Sequence, residues 1–166
     1  MDNLETLAEQ VGAALQSRGL LLASAESCTG GWVGAAVTAI AGSSQWYERG
    51  FITYTNESKQ EMLGVSAATL AENGAVSEPI VREMAAGALK HSHAHVALAI
   101  SGIAGPSGAT PGKPVGTVCI SWVMRSGAGR VQTFHFEGDR SAVRQQAVVT
   151  ALRGVLEIIE EDTLLA

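Results

Sequence analysis

Apolar residues recur every three or four positions in several parts of the chain, which places them on one face of a helix. In the first such segment, Asp2–Ser17, the apolar stripe includes Leu4, Leu7 and Val11. Gly19 follows as a natural helix end. The same spacing and local start signals predict helices over residues 32–40, 56–63, 66–72 and 141–161, and another opened by Ser77-Glu78-Pro79.

Short runs rich in β-branched and other apolar residues lie between these helices and predict strands. They cover residues 20–25, 50–54, 96–100, 115–124 and 130–136. Strands that alternate with helices favour an α/β fold, a three-layer sandwich in which helices cover both faces of the sheet. The last two strands flank a Gly-containing turn and predict a hairpin, so we expect a mixed sheet. Because no repeat or linker interrupts the pattern, we expect one domain over residues 1–166.

Composition and charge narrow the classes of partner. The 166-residue chain has a net charge of −5, and an acidic surface repels phosphate backbones, so we expect no nucleic-acid partner. Two cysteines, Cys28 and Cys119, do not make a disulfide framework, and we expect a cytoplasmic protein. The N-terminal segment lacks the features of a signal peptide, and no stretch reaches the ~18 apolar residues of a membrane span. We therefore expect no membrane partner.

The first candidate for chemistry is the segment 25–31, Ala-Glu-Ser-Cys-Thr-Gly-Gly, between a predicted strand and a predicted helix. Ligands of open α/β sheets bind beyond the carboxyl ends of strands. There the hydroxyl of Ser27 can attack a carbonyl carbon once a base removes its proton. Free backbone N–H groups nearby suit an oxyanion or a phosphate. For this segment alone, capping of the helix by Ser27 or Thr29 is the commoner role.

A second candidate follows the next predicted strand, in the segment 54–59, Tyr-Thr-Asn-Glu-Ser-Lys. If the two strands are neighbours that end at the same edge, this segment lies near Ser27. A lysine buried in such a pocket has a lowered pKa and can act as a general base, which makes Lys59 the candidate. Because most lysines are exposed, a solvated helix residue is the alternative on sequence alone.

Two further segments are candidates for binding. The loop 101–114 is rich in Gly and Pro, so its backbone can approach a ligand closely, although it lacks the Gly-Lys-Ser/Thr of a P-loop. A loop of this length without secondary structure is more often functional than filler. Arg140, in Gly-Asp-Arg at 138–140, and Arg144 one turn later are suited to a phosphate or carboxylate. The alternative for these arginines is salt bridging at the surface.

Two other patterns are weaker candidates. Every second residue from 91 to 95 is a histidine: His91, His93 and His95. In an extended segment these side chains would lie on one face, where three imidazoles could bind zinc. No Cys or acidic residue lies beside them, so we expect no metal site. Cys28 sits beside Ser27 at a predicted helix N-terminus, which would lower its thiol pKa and make it a rival nucleophile. No histidine lies near Cys28 in sequence, and we favour Ser27.

Considered together, five segments resemble the nicotinamide-nucleotide amidase family, also called the CinA C-terminal domain family. They are AESCTGGWVGAAVT, IAGSSQWYERGFITYTNESKQEMLGV, GAVSEPIVREMAAGAL, ISGIAGPSG and KPVGTV. The resemblance runs from about Leu4 to Leu156 and is weakest over residues 107–113. It implies a three-layer α/β/α fold with a mixed, mostly parallel five-stranded sheet. It also implies hydrolysis of nicotinamide mononucleotide to nicotinate mononucleotide and ammonia, without a metal or cofactor.

The resemblance also implies roles for individual residues. The family's serine, lysine and tyrosine match Ser27, Lys59 and Tyr54. In the resulting hypothesis, neutral Lys59 takes the proton of Ser27, Ser27 attacks the carboxamide, and Tyr54 orients Lys59 or relays a proton to ammonia. Backbone N–H groups near residues 29–31 hold the oxyanion, and either the 102–105 loop or an arginine holds the ribose phosphate. The expected substrate-binding residues are therefore Thr29, Gly30, Gly31, Asn56, Ser101, Gly102, Gly105 and Arg140.

Three alternatives stay open on the sequence. A non-catalytic nucleotide-binding module would keep the glycine loops but would tolerate loss of Ser27 or Lys59, and this chain has both. A competence- or DNA-damage-associated interaction protein conflicts with the acidic charge if it binds DNA directly. A serine amidohydrolase for another small amide also fits. By analogy with the family, we expect a homodimer that acts on a small nucleotide.

Overall fold

The structure, a computed structural model, describes residues 2–165 and the side chains of residues 4–162. Residues 1 and 166, the ends of the predicted domain, lie outside the described residues. The helices are α1 Asp2–Ser17, α2 Trp32–Thr38, α3 Asn56–Leu63, α4 Ala67–Asn73, α5 Glu78–Lys90 and α6 Arg140–Leu165. The strands are β1 Leu22–Glu26, β2 Tyr47–Ile52, β3 Val96–Gly102, β4 Thr117–Met124 and β5 Gly129–His135. None of the helices in this described part has the length and apolar character needed to cross a bilayer.

The strands form one sheet in the order β2-β1-β3-β4-β5. β1 pairs in parallel with β2 on one side and with β3 on the other. β4 is antiparallel to both β3 and β5. Of these five described strands, β4 therefore runs against the other four. The predicted mixed five-stranded sheet and its C-terminal hairpin are confirmed.

Helices cover both faces of the sheet. α1, α2 and α6 contact one another on one face, whereas α5 packs against β1, β3 and β4 on the other. Successive side chains of the central strands alternate between these two cores: Leu22, Leu98 and Ile120 join the first, and Ala23, Ala97 and Cys119 join the second. Because both faces are buried, the sequences of the central strands are nearly continuous runs of apolar residues. The predicted three-layer α/β/α sandwich is confirmed.

One close contact fixes the position of α3. A Cβ at Gly87 of α5 would lie 2.0 Å from the carbonyl oxygen of Leu63, at the end of α3. Only glycine therefore allows the two helices to approach this closely. The contact holds α3, which carries Lys59, against a helix that is itself packed on the sheet.

All five strands differ by one to three residues at one or both ends from the predicted bounds, and two of these differences have a clear physical reason. β2 covers Tyr47–Ile52 rather than 50–54, because it is an edge strand whose exposed side tolerates the charged pair Glu48 and Arg49. β4 begins at Thr117 rather than at residue 115. A turn precedes it, in which the amide of Thr117 donates to the carbonyl of Pro114.

Candidate active site

Ser27 and Lys59 meet at the edge of the sheet where the neighbouring strands β1 and β2 end. Ser27 directly follows β1, and Lys59 lies in α3, which follows β2 after a short connection. Lys59 Nζ is 2.9 Å from Ser27 Oγ. Lys59 is 1% exposed and Ser27 is 7% exposed. The residues predicted as base and nucleophile are therefore in hydrogen-bond contact and shielded from bulk water.

The other neighbours of the Lys59 amine are backbone carbonyls. Nζ donates to the carbonyl oxygen of Thr53 at 2.8 Å and to that of Tyr54 at 3.4 Å. Among the described residues, no ion pair joins Lys59 to a carboxylate. Burial lowers the pKa of Lys59 below its ordinary 10.5, against an opposing interaction with Cys28. In the neutral amine, the two carbonyls accept the two N–H groups and the lone pair is left for the proton of Ser27.

The start of α3 determines where Lys59 points. Thr55 is the N-cap: its hydroxyl accepts from the amide of Ser58, and the Ser58 hydroxyl accepts from the amide of Thr55. This reciprocal capping box fixes the first turn of the helix. The amide of Lys59 then donates to the carbonyl of Thr55 at 3.1 Å. The local sequence thus directs Lys59 to the buried side of α3.

A buried carboxylate holds the turn that follows Ser27. Glu26, the last residue of β1, is 2% exposed. Its Oε1 accepts from the Thr29 hydroxyl at 2.6 Å and from the amides of Gly31 at 3.2 Å and Val33 at 2.9 Å. Its Oε2 accepts from the amide of Gly34 at 3.1 Å. Glu26 therefore satisfies the amides at the start of α2.

These contacts correct the predicted oxyanion donors. The amide of Gly31 is bonded to Glu26, and the amide of Gly30 donates to the carbonyl of Ser27 at 3.0 Å. The Thr29 side chain is fully buried and engaged by Glu26. The prediction that the Gly30 and Gly31 amides hold the oxyanion is therefore wrong in this geometry, because both donors are occupied.

Cys28 is buried beside Ser27, but its environment does not activate the thiol. Burial raises the pKa of the Cys28 thiol to about 11, and the opposing effect of Arg144 is smaller. The expectation that a helix N-terminus lowers this pKa is wrong, because desolvation outweighs the favourable interactions. At neutral pH the thiol form predominates, and the thiolate is the nucleophilic form of cysteine.

A pocket of about 280 Å³ opens onto Ser27 and Lys59. Its other lining residues include five of those predicted from the sequence: Tyr54, Asn56, Ser101, Gly102 and Arg140. The predicted residues Thr29, Gly30, Gly31 and Gly105 are not among the described residues that line it. The structure thus brings together most of the expected site but leaves Gly30 and Gly31 outside the lining of this pocket.

Tyr54 and Arg140 form one side of the pocket. The Tyr54 side chain is 60% exposed, and its hydroxyl lies 3.2 Å from Arg140 Nη2. Arg140 Nη1 donates to the carbonyl of Gly105 at 2.8 Å. Tyr54 contacts Lys59 through its main-chain carbonyl, so the phenol does not orient the base. Proton relay by the hydroxyl stays a prediction.

A larger pocket of about 710 Å³ adjoins the first one. The two share Ala104 and Arg140, and the second is also lined by Pro106, Val115 and Arg144. Two guanidinium groups beside an apolar wall suit a ligand that carries both an anionic group and a hydrophobic body. The site therefore extends well beyond the space that a carboxamide needs.

Metal ligands do not cluster in the described part of the chain. No group of three or more His, Cys, Asp or Glu side chains converges there. His95, one of the three alternating histidines, accepts the amide of Leu21 at Nδ1, at 2.9 Å. This bond gives His95 a structural contact between the start of β1 and the start of β3.

Sequence reasoning missed the roles of Glu26 and Arg144. Glu26 lies too far before α2 for the usual capping patterns, which place a carboxylate at the N-cap or in the first turn. We expected Arg144 to bind a phosphate or carboxylate or to form a surface salt bridge, yet its guanidinium donates to the carbonyls of Cys28 and Thr29. Neither contact has a signal in local spacing, since both depend on the packing of distant or irregular segments.

Comparison with known proteins assigns this arrangement to a family. The model of the CinA C-terminal domain matches residues 4–159. The chain belongs to the CinA C-terminal domain family. A curated relative from Escherichia coli (strain K12), "Nicotinamide-nucleotide amidohydrolase PncC", is 53% identical over 160 residues, which is 96% of this chain and 97% of that protein. A protein of the same name from Pseudomonas putida is 44% identical and covers 95% of this chain and 98% of its own length.

Solved structures of CinA-type proteins have the same fold. The "competence/damage inducible protein CihA" from Agrobacterium tumefaciens aligns with a TM-score of 0.92 at 41% identity, covering 94% of this chain and 95% of that chain. A CinA superfamily protein from Klebsiella pneumoniae aligns with a TM-score of 0.92 at 42% identity, covering 95% and 98%. The family assignment thus rests on both sequence and three-dimensional structure.

Proposed function

We propose that this CinA-family chain hydrolyses the carboxamide of nicotinamide mononucleotide to nicotinate mononucleotide and ammonia. Ser27 is the nucleophile and Lys59 is its base. The observation that carries the proposal is the 2.9 Å contact between Lys59 Nζ and Ser27 Oγ in a buried site. The substrate comes from the relatives, since proteins named nicotinamide-nucleotide amidohydrolase match nearly the whole chain.

The proposed reaction proceeds through an acyl-enzyme. Neutral Lys59 takes the hydroxyl proton as Ser27 Oγ attacks the carboxamide carbon, and a tetrahedral intermediate forms. The carbon–nitrogen bond then breaks, and the proton held by Lys59 passes to the departing nitrogen, which leaves as ammonia. A water molecule attacks the ester on Ser27 with Lys59 again as base. This step releases nicotinate mononucleotide and restores the serine hydroxyl.

The two adjoining pockets support a nucleotide rather than a free amide. The pocket at Ser27 is of a size for the pyridine carboxamide, and the second pocket leaves room for the ribose and phosphate. Arg140 lines both pockets. We therefore assign the phosphate contact to Arg140. The 102–105 loop, the alternative phosphate site predicted from the sequence, contributes Gly102 to the pocket at Ser27, and its Gly105 carbonyl accepts from Arg140.

Two accompanying expectations belong to the proposal. The reaction takes place in the cytoplasm, which is supported by the two unpaired cysteines, Cys28 and Cys119. The active species is a homodimer, which sedimentation of the purified protein would test.

The test is ammonia release from a panel of amides. Purified protein is incubated separately with nicotinamide mononucleotide, nicotinamide riboside and nicotinamide, and kcat/KM is measured for each. We expect the mononucleotide to be preferred, because only it offers a phosphate to Arg140. Lys59→Met should lower kcat by about 10²–10⁴-fold, the usual contribution of a general base.

The matched control is Lys90→Met, which removes an exposed lysine at the end of α5. It should leave the rate unchanged. Circular dichroism checks that both variants fold. If the folded protein without substitutions releases no ammonia from the mononucleotide, the substrate assignment is wrong. If Lys59→Met is fully active, the assignment of Lys59 as the base is wrong.

A further inference from the structure

Arg144 connects α6 to the turn that carries the nucleophile. Its Nε donates to the carbonyl of Cys28 at 3.0 Å, and its Nη2 donates to the carbonyl of Thr29 at 3.2 Å. The guanidinium also lies over the ring of Trp32, 5.5 Å from its centroid. One side chain thus holds two successive carbonyls immediately after Ser27.

Binding a carbonyl also fixes the N–H group on the other side of the same peptide bond. The peptide is planar and trans, so its C=O and N–H point in opposite directions. Because the Cys28 carbonyl points at Arg144, the amide of Thr29 points away from it. Arg144 also holds the Thr29 carbonyl, and with it the peptide that carries the Gly30 amide. This amide donates to the Ser27 carbonyl, which fixes the orientation of the Cys28 amide in the same way.

Among the described residues, two amides of the turn, those of Cys28 and Thr29, have no acceptor on another residue, and of these only Cys28 lines the pocket at Ser27, since Thr29 is fully buried. Glu26 and main-chain carbonyls bind every other amide of residues 27–34: those of Ser27, Gly30, Gly31, Trp32, Val33 and Gly34. The amides of Cys28 and Thr29 donate to no other residue in the part of the chain that the structure describes. The first turn of α2 is therefore not the anion site, since Glu26 already occupies it.

We propose that Arg144 is a positioning residue that aims the Cys28 amide at the oxygen of the tetrahedral intermediate on Ser27. The inference rests on the proposed function and adds an oxyanion donor to its mechanism. Donors held in place before the reaction stabilise the developing charge without reorganisation. Arg144 acts through the peptide planes, not by contact with the reacting atoms.

The shape of the guanidinium explains why arginine suits this position. Its rigid, planar fork can hold two neighbouring carbonyls at once, whereas an ammonium group is a single flexible point charge. The ring of Trp32 supports the flat face of the fork. A lysine at this position keeps the charge but loses the simultaneous contact with both carbonyls.

The test compares Arg144→Met and Arg144→Lys with Arg153→Met, which removes an exposed arginine further along α6. One readout is kcat and KM for nicotinamide mononucleotide. The other is the rate at which a fluorophosphonate labels Ser27, measured by mass spectrometry. In labelling, Ser27 Oγ displaces fluoride from phosphorus, its proton passes to Lys59, and the phosphoryl oxygen takes the oxyanion position.

For Arg144→Met we expect kcat and the labelling rate each to fall about 10–100-fold, a fraction of the 10²–10³ lost with a whole oxyanion donor. KM should change by less than about threefold. Arg144→Lys should give an intermediate loss of kcat and labelling rate. Because this variant keeps the charge, it can be used for the same comparison if Arg144→Met does not fold. Arg153→Met should match the unchanged protein in both readouts.

A rise in KM with kcat and labelling unchanged would overturn the inference, because Arg144 would then bind the phosphate. Unchanged values in every readout would also overturn it. If the unchanged protein releases no ammonia but Arg144→Met still slows the labelling of Ser27, the proposed substrate fails and the positioning role stands. If it neither releases ammonia nor is labelled at Ser27, both fail.

Discussion

Replacing Glu26 with glutamine removes one acceptor oxygen from the buried group that holds the nucleophile turn. Glutamine keeps the size of the side chain, and its carbonyl can take over the three donors of Oε1: the Thr29 hydroxyl and the amides of Gly31 and Val33. Its NH₂ group then faces the amide of Gly34, which loses its acceptor. Two donors that face each other cannot form a hydrogen bond.

The expected loss of stability follows from these four bonds. A hydrogen bond to a charged group contributes about 1.5–3 kcal/mol, and this amount is lost at Gly34. The three remaining bonds lose their charge assistance, at a net cost of roughly 0.5 kcal/mol each, because the lower desolvation cost of the neutral amide offsets part of their weakening. We therefore expect Glu26→Gln to lower the free energy of unfolding by about 3–4.5 kcal/mol, a large part of the 5–15 kcal/mol typical of a domain. The melting temperature should fall by roughly 6–18 °C.

Urea unfolding at neutral pH, followed by far-UV circular dichroism, measures this loss. Glu9→Gln on the exposed side of α1 is the matched control and should stay within about 0.5 kcal/mol of the unchanged protein. A loss below about 1 kcal/mol in Glu26→Gln would refute the reasoning, because the second carboxylate oxygen would then contribute little to the turn.

Three further predictions concern the site itself. Because burial lowers the pKa of Lys59, kcat/KM should rise with pH as Lys59 loses its proton, with a midpoint below 10.5, and a pH–rate profile checks this. Because the pKa of Cys28 is raised to about 11, iodoacetamide should modify this thiol slowly at pH 7, and mass spectrometry of the folded protein measures the rate. Arg140→Ala should raise KM for nicotinamide mononucleotide about 10–100-fold, the equivalent of one charge-assisted contact. An effect of the same size on nicotinamide riboside, which lacks the phosphate, would contradict the assignment of Arg140.

The layers of the fold and the order of its elements could be predicted from the sequence, because the spacing of apolar residues and the length of apolar runs indicate which side chains are buried. The edge strand β2 could not be bounded in the same way. Glu48 and Arg49 belong to it, but charged side chains on an exposed edge resemble those of a loop. A strand with one free edge carries a weaker hydrophobic signal than the buried strands β1 and β3.

The candidate site likewise has a part that could be predicted from the sequence and a part that could not. The proximity of Ser27 and Lys59 could be predicted, because each follows a strand and parallel neighbours end at one edge. Their roles as nucleophile and base came from the resemblance to the family, since on sequence alone a helix cap and a solvated lysine were the commoner interpretations. Which amides stay free after Ser27 could not, since the answer depends on Glu26 reaching forward to α2 and on Arg144 reaching back from α6. The thiol pKa of Cys28 was misjudged for a related reason: sequence shows the nearby helix start but not the degree of burial.

The most direct test of the Ser–Lys mechanism is ammonia release from nicotinamide mononucleotide by Ser27→Ala and Cys28→Ala, measured side by side. The mechanism predicts that Ser27→Ala loses about 10³-fold or more of kcat. Cys28→Ala should keep kcat within about tenfold, because its contribution comes from the main chain. A Ser27→Ala variant that releases ammonia at an undiminished rate, with the activity lost instead in Cys28→Ala, would contradict the account and make Cys28 the nucleophile.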